Sequence, residues 1–108
     1  MTKSYEMQCP VARTLDVIGE RWAILVLRDL LLFDSRRFVD FTQALPGIPP
    51  NTLSARLKQL EAAGVVERRL YAQHPPRAEY ILTAKGRELG PIVAAMRKWG
   101  GEHGGKGS

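Results

Sequence analysis

The sequence predicts a mainly α-helical fold with one small β-hairpin. Three observations carry this. Residues 45–66 read as a tight turn, an amphipathic helix and the start of a strand, with Leu53, Leu57 and Leu60 at i, i+4 and i+7 on one helix face. A short helix and, before it, a very apolar one precede that turn. Residues 65–72 and 78–83 are strand-like, and the run Gln73-His74-Pro75-Pro76-Arg77 between them is rich in turn formers. Helix, turn, helix, strand, proline-rich loop, strand, helix is the order of a winged helix-turn-helix.

The elements follow in order. Residues 1–8 carry no apolar pattern and are expected to be flexible. Cys9-Pro10 opens the first helix, because a proline in the first turn lacks only a donor that is not needed there. Val11, Leu15 and Ile18 repeat at helical spacing up to Gly19. Residues 21–32 are apolar nearly all round and predict the central buried helix. Asp34-Ser35-Arg36-Arg37 reads as a polar connector. Phe38, Phe41 and Leu45 mark a third helix, stopped by Pro46-Gly47. Gly64 closes the helix that follows. In the hairpin, Val66, Leu70, Tyr80 and Leu82 are the expected inward positions, and two strands alone must pack on the helices. Thr83 suits the N-cap of a last helix from Ala84, kinked by Pro91 near Arg87. The domain is expected over residues 9–103, with a disordered glycine-rich tail at 104–108.

A chain of 108 residues suits one domain with a modest core, to which a second subunit can add burial. Sixteen Lys and Arg against eleven Asp and Glu give a net charge of +5, which favours an anionic partner such as nucleic acid or a lipid surface. A single cysteine excludes an intramolecular disulfide framework. No apolar signal segment opens the chain and no run approaches the ~20 residues of a membrane span, so a cytoplasmic protein is expected.

Opposite the three leucines, the second helix of the pair presents Asn51, Ala55 and Lys58, flanked by Thr52 and Ser54. Small and hydrogen-bonding side chains with one cation suit contact with base edges and phosphates. Free N–H groups at Asn51 and Thr52 add anion-binding capacity at the helix start. Further basic residues fall where a groove binder needs them: Arg36 and Arg37 before the first helix of the pair, Arg56 on the second, Arg68 on the strand, His74 and Arg77 at the hairpin tip. Arg56 lies near the edge of the apolar face, where bracing a carboxylate such as Asp40 or Glu61 is the alternative role.

The stripe Leu89, Ile92, Val93, Met96 and Trp99, with Val11, Leu15 and Ile18 of the first helix, is apolar surface in need of a partner. A homodimer is the simplest one, and two-fold symmetry would present two recognition helices to successive major-groove faces. Cys9 reads either as an inert small hydrophobe or, beside Pro10 at a helix N-terminus, as a reactive thiol, since the helix dipole there favours an anion. No motif for catalysis, metal or cofactor binding occurs, and no base is placed to activate Cys9 as an enzyme nucleophile.

These residues resemble the HxlR family of winged helix-turn-helix transcriptional regulators. The matching stretches include Cys9-Pro10-Val11, Leu15 to Gly19, Arg21-Trp22, Leu27 to Leu31, Arg37-Phe38, Ala44 to Ile48, Leu53 to Glu61, Gly64 to Val66, Pro75 to Tyr80, Leu82 to Gly86 and Trp99. The resemblance implies a homodimeric DNA-binding repressor or activator, its interface formed by the first and last helices. It implies a response to a small-molecule effector or to thiol-reactive stress, with Cys9 at the sensor position used by some members. The chain departs from the family at Pro49, where Ser or Thr is common. That loses a side-chain cap and leaves Asn51 to cap a helix starting slightly later. An alternative function is a winged helix serving protein–protein assembly without DNA; the cationic outer face and basic wing argue against it.

Overall fold

A computed structural model of the chain describes residues 9–105; the flexible segment expected at 1–8 and the last three residues of the tail lie outside the described residues. Helix α1 spans Pro10–Ile18, with Cys9 as its N-cap. Helix α2, Arg21–Leu32, starts at Glu20, whose carboxylate accepts a hydrogen bond from the Ala23 N–H at 2.9 Å. Strand β1 is Arg36–Arg37, and α3, Phe38–Ala44, follows at once. Helix α4 is Pro50–Ala62. The wing consists of β2, Val66–Gln73, and β3, Pro76–Leu82. Short α5, Ala84–Arg87, and α6, Gly90–His103, complete the domain.

The sheet is antiparallel in the order β1-β3-β2. Its short edge strand corrects the expectation of a plain connector: Arg36 pairs with Tyr80 and Arg37 with Glu79. Two arginines carry no alternation, so nothing local marks them as a strand. What makes them a strand is the pairing with β3, and the Arg36 Nε is further fixed by donating to Asp29 at 2.7 Å.

The core lies where α2, α3 and α4 meet the base of the wing. Val26, Leu27, Phe41, Leu53, Leu57, Leu60 and Val66 are fully buried, and Phe41 meets the Tyr80 ring edge-on at 6.1 Å. Helix α2 is central as expected, although Leu32 at its end faces solvent. The turn between α3 and α4 closes on Gly47, whose φ of 89° is the left-handed conformation that glycine adopts without a steric penalty. Ile48 then seats in the core.

Three boundaries differ from the sequence expectations. Helix α4 begins at Pro50 rather than later. Pro49 occupies the N-cap with extended backbone and no side-chain cap, while its carbonyl accepts from Leu53 at 3.0 Å, so Asn51 is helical and not the cap. The final helix is two helices rather than one kinked helix. Thr83 does cap α5, accepting from the Gly86 N–H at 3.0 Å, and Pro91 then sits in the first turn of a new helix where no donor is missed. The strands run further toward the tip than expected, leaving His74-Pro75 as the turn, joined by a cis peptide bond. Leu70 points into solvent rather than inward, because beyond Val66 the wing leaves the helical body and has no core to face.

Helix α5 locks the end of α4 to the wing. The Thr83 hydroxyl donates to the Gly64 carbonyl at 2.6 Å and the Lys85 ammonium to the Ala63 carbonyl at 2.8 Å. A cation at that C-terminus also complements the helix dipole. Gly86 is buried so close to the Val65 carbonyl that any Cβ would clash with it.

Candidate nucleic-acid interface

Helix α4 turns Leu53, Leu57 and Leu60 into the core, which rotates Asn51, Ser54 and Lys58 outward into solvent. Thr52 and Ala55 are half-buried at the edge of that face. The double proline at the helix start supplies no N–H groups, and no side chain caps the end. The backbone donors of Asn51 and Thr52 therefore lie in the first turn, where a helix meets an anion most favourably.

The wing brings a second cation to this face. Arg68 is exposed on β2 and, with Ser54, Leu57, Lys58, Glu61 and Tyr80, lines a cleft of about 380 Å³ between α4 and the sheet. Glu61 is the one acidic side chain in that lining. His74 occupies the exposed turn, and Arg77 is exposed one step down β3, opposite Ala72. Arg77 thus stands at the shoulder of the wing rather than at its tip. The strand pairing skips a residue between Leu70 and Ala72. Tyr71 is the extra residue, and it is exposed. Nothing in the strand pattern marks Tyr71 as a site residue. Its signal in the sequence is an aromatic side chain directly after Leu70 on the outer half of the wing.

Three of the arginines expected at the interface, Arg36, Arg37 and Arg56, are engaged by carboxylates. Arg36 is mostly buried, bound to Asp29 and stacked 4.0 Å over the Phe33 ring, so it belongs to the scaffold rather than to an open cationic surface. Arg56 lies 3.7 Å from Glu20, neither of the carboxylates expected, and its Nε is buried. It ties α4 to the start of α2, which is the bracing role weighed for it as the alternative to a phosphate contact, with a different carboxylate. Arg37 is half-exposed and pairs with Asp40 at 3.3 Å. The Arg37 backbone N–H donates to Asp40 at 2.8 Å, so the Asp40 carboxylate satisfies the N-cap donor at the start of α3. Hydrogen bonding to Asp40 raises the Arg37 pKa, and hydrogen bonds from the Arg37 backbone and side chain hold the Asp40 carboxyl below its ordinary range.

A second surface lies on α1 and α6. Val11 is 68% exposed, Leu15 56% and Trp99 64%, with Ile92 and Met96 between them. Pro91, Ile92, Ala95, Met96 and Trp99 line a broad apolar depression on α6, and Val11, Leu15, Ile92 and Met96 line another that spans α1 and α6. Ile18 and Val93 are instead buried in the subunit, and Leu89 packs on its core. The stripe read from the sequence was two stripes. Leu89 and Val93, at i and i+4, face inward; Ile92, Met96 and Trp99, at i, i+4 and i+7, face out. Cys9 is exposed at the head of α1.

This architecture is that of a winged helix-turn-helix transcriptional regulator. The chain belongs to the family of HxlR-like helix-turn-helix proteins, whose model matches residues 17–108. Cys9 precedes the matched stretch. An HTH-type transcriptional regulator of Synechocystis, sll1512, is 45% identical over 94 residues, spanning 87% of this chain and 69% of that protein. YybR of Bacillus subtilis is 44% identical, spanning 85% of this chain and 73% of its own. Among solved structures, the redox regulator HypR in its oxidized form superposes with a TM-score of 0.82 at 42% identity, over 88% of this chain and 97% of that one. The reduced form of YodB from B. subtilis, another transcriptional regulator, gives 0.75 at 31% identity, over 91% and 98%.

Proposed function

We propose that residues 9–103 act as a cytoplasmic homodimer that binds a palindromic operator in double-stranded DNA and regulates transcription there, as a repressor in the simplest case. One arrangement carries the proposal: Asn51, Ser54 and Lys58 project from α4 on the side away from its buried leucines, with Arg68 of the wing beside them. Thr52 and Ala55 flank the contact, and Arg37, His74 and Arg77 extend it along the backbone. Asn51 and Ser54 read base edges in the major groove, while Lys58, Arg68 and Arg77 neutralise phosphates. The dimer forms through Val11, Leu15, Ile92, Met96 and Trp99.

A salt-dependent gel-shift titration tests the DNA contacts. Lys58→Ala and Arg77→Ala are each expected to weaken operator binding across sequences and to reduce the slope of log affinity against log salt by about one. If both variants bind as the parent does, the groove assignment is wrong. If the parent binds no duplex, the assembly reading replaces it.

The signal is proposed to include thiol chemistry at Cys9, since the thiol is exposed at the head of a helix that carries the proposed interface. HypR, 42% identical, is named a redox regulator. An intersubunit disulfide forms when two Cys9 thiols give up two electrons and two protons to an oxidant such as diamide. Diamide is expected to change operator binding by the parent and to leave Cys9→Ser unaffected; an identical response in both would sink the sensor role.

A further inference from the structure

Between α2 and α6 lies a pocket of about 290 Å³ lined by Ile24, Leu25, Arg28, Val93, Met96 and Arg97. It is separate from the DNA face and shares Ile24 and Met96 with the apolar depression on α1 and α6. Four of its six lining side chains are apolar, two are guanidinium groups, and none is a carboxylate. The Arg28 Nε is buried with no hydrogen-bond partner, whereas Arg36 and Arg37 are both met by acidic residues. A buried N–H without an acceptor is costly, and native structures satisfy nearly all of them. Arg56 has a similarly buried Nε, but its guanidinium already faces Glu20; no such carboxylate faces Arg28 among the described residues.

We propose that this pocket binds a small organic acid, its apolar body against Ile24, Leu25, Val93 and Met96 and its carboxylate on Arg28 and Arg97. A planar guanidinium is matched to a carboxylate, and a pocket of this size suits a molecule no larger than a substituted benzoate or a short fatty acid. Binding would stiffen the junction of α2 and α6 beside the proposed dimer surface and so change the spacing of the two α4 helices. That regulatory consequence rests on the DNA-binding reading; binding itself does not, so it is measured without DNA.

The experiment titrates the full chain with benzoate and, separately, with its neutral isostere benzamide, following the Met96 methyl resonance by NMR. Benzoate is expected to give saturable shifts below about 10 mM, benzamide far weaker ones. Arg28→Gln should lower benzoate affinity about tenfold or more, as loss of a charge-assisted hydrogen bond requires, and Arg28→Lys less. Equal binding of the two probes, no saturation with benzoate, or unchanged affinity in a folded Arg28→Gln protein each overturns the proposal. Should Arg28→Gln not fold, Arg97→Gln and the comparison of the two probes on the parent still decide it. A changed dimer dissociation constant with unchanged benzoate binding would instead give Arg28 to a carboxylate of the second copy.

Discussion

Replacing Leu15 and Trp99 together by glutamate is expected to leave a folded monomer that has lost operator binding. Both side chains are more than half exposed in the isolated subunit, so its own core does not depend on them. The same exposure makes them poor candidates for solvent: with Val11, Ile92 and Met96 they form an apolar surface across two helices. Carboxylates placed there would have to be desolvated on association, and the two subunits would each bring added negative charge to the same apolar surface. Each recognition helix would then bind DNA alone. Losing the second, tethered contact is expected to reduce affinity for a two-site operator by about 10²–10⁴. Sedimentation velocity and a gel shift check the two halves of this claim. A double variant that stays dimeric would move the interface elsewhere.

The second large effect is on stability. Asp29 is a buried carboxylate with a side chain 4% exposed, and its partner Arg36 is 18% exposed. The pair joins the last turn of α2 to β1, and β1 in turn pairs with the central strand of the sheet. Asp29→Ala would leave the Arg36 guanidinium largely buried with only the Phe33 ring against it. Breaking a buried pair on one side costs about 3–5 kcal/mol. For a domain of this size that corresponds to a fall in Tm of roughly 10–20 °C, measured by calorimetry. Replacing both partners by apolar residues, as in Asp29→Leu with Arg36→Met, should cost much less than the two single changes added. A loss below about 1 kcal/mol in Asp29→Ala would show that the pair does not hold the wing.

Much of this fold was legible because its decisive pattern is local. The three leucines of α4 fix the buried face by their spacing, so the polar face opposite follows. Gly47 and Gly64 mark the ends of that unit, and Thr83 marks the start of α5. What escaped was set by distant contacts. Strand β1 exists because Tyr80, far along the chain, pairs with Arg36, while Asp29 at the end of the preceding helix binds its side chain. The candidate site changed for the same reason: Arg36 and Arg56 have the right charge and position in sequence, but Asp29 and Glu20 bind them in the fold. On α6 the error was one of phase, since adjacent inward and outward stripes are both apolar. In the outer wing both faces meet solvent, so alternation carries no burial information for Leu70 or Tyr71.

The central claim is that two α4 helices read one duplex together, and selection of bound sequences from random duplexes by the purified protein tests it most directly. The selected sequence is expected to be a palindrome whose half-sites are centred about one helical turn apart, or a multiple of it, bound with an affinity that falls steeply with salt. Recovery of a single asymmetric half-site, or of no preferred sequence at all, would contradict it.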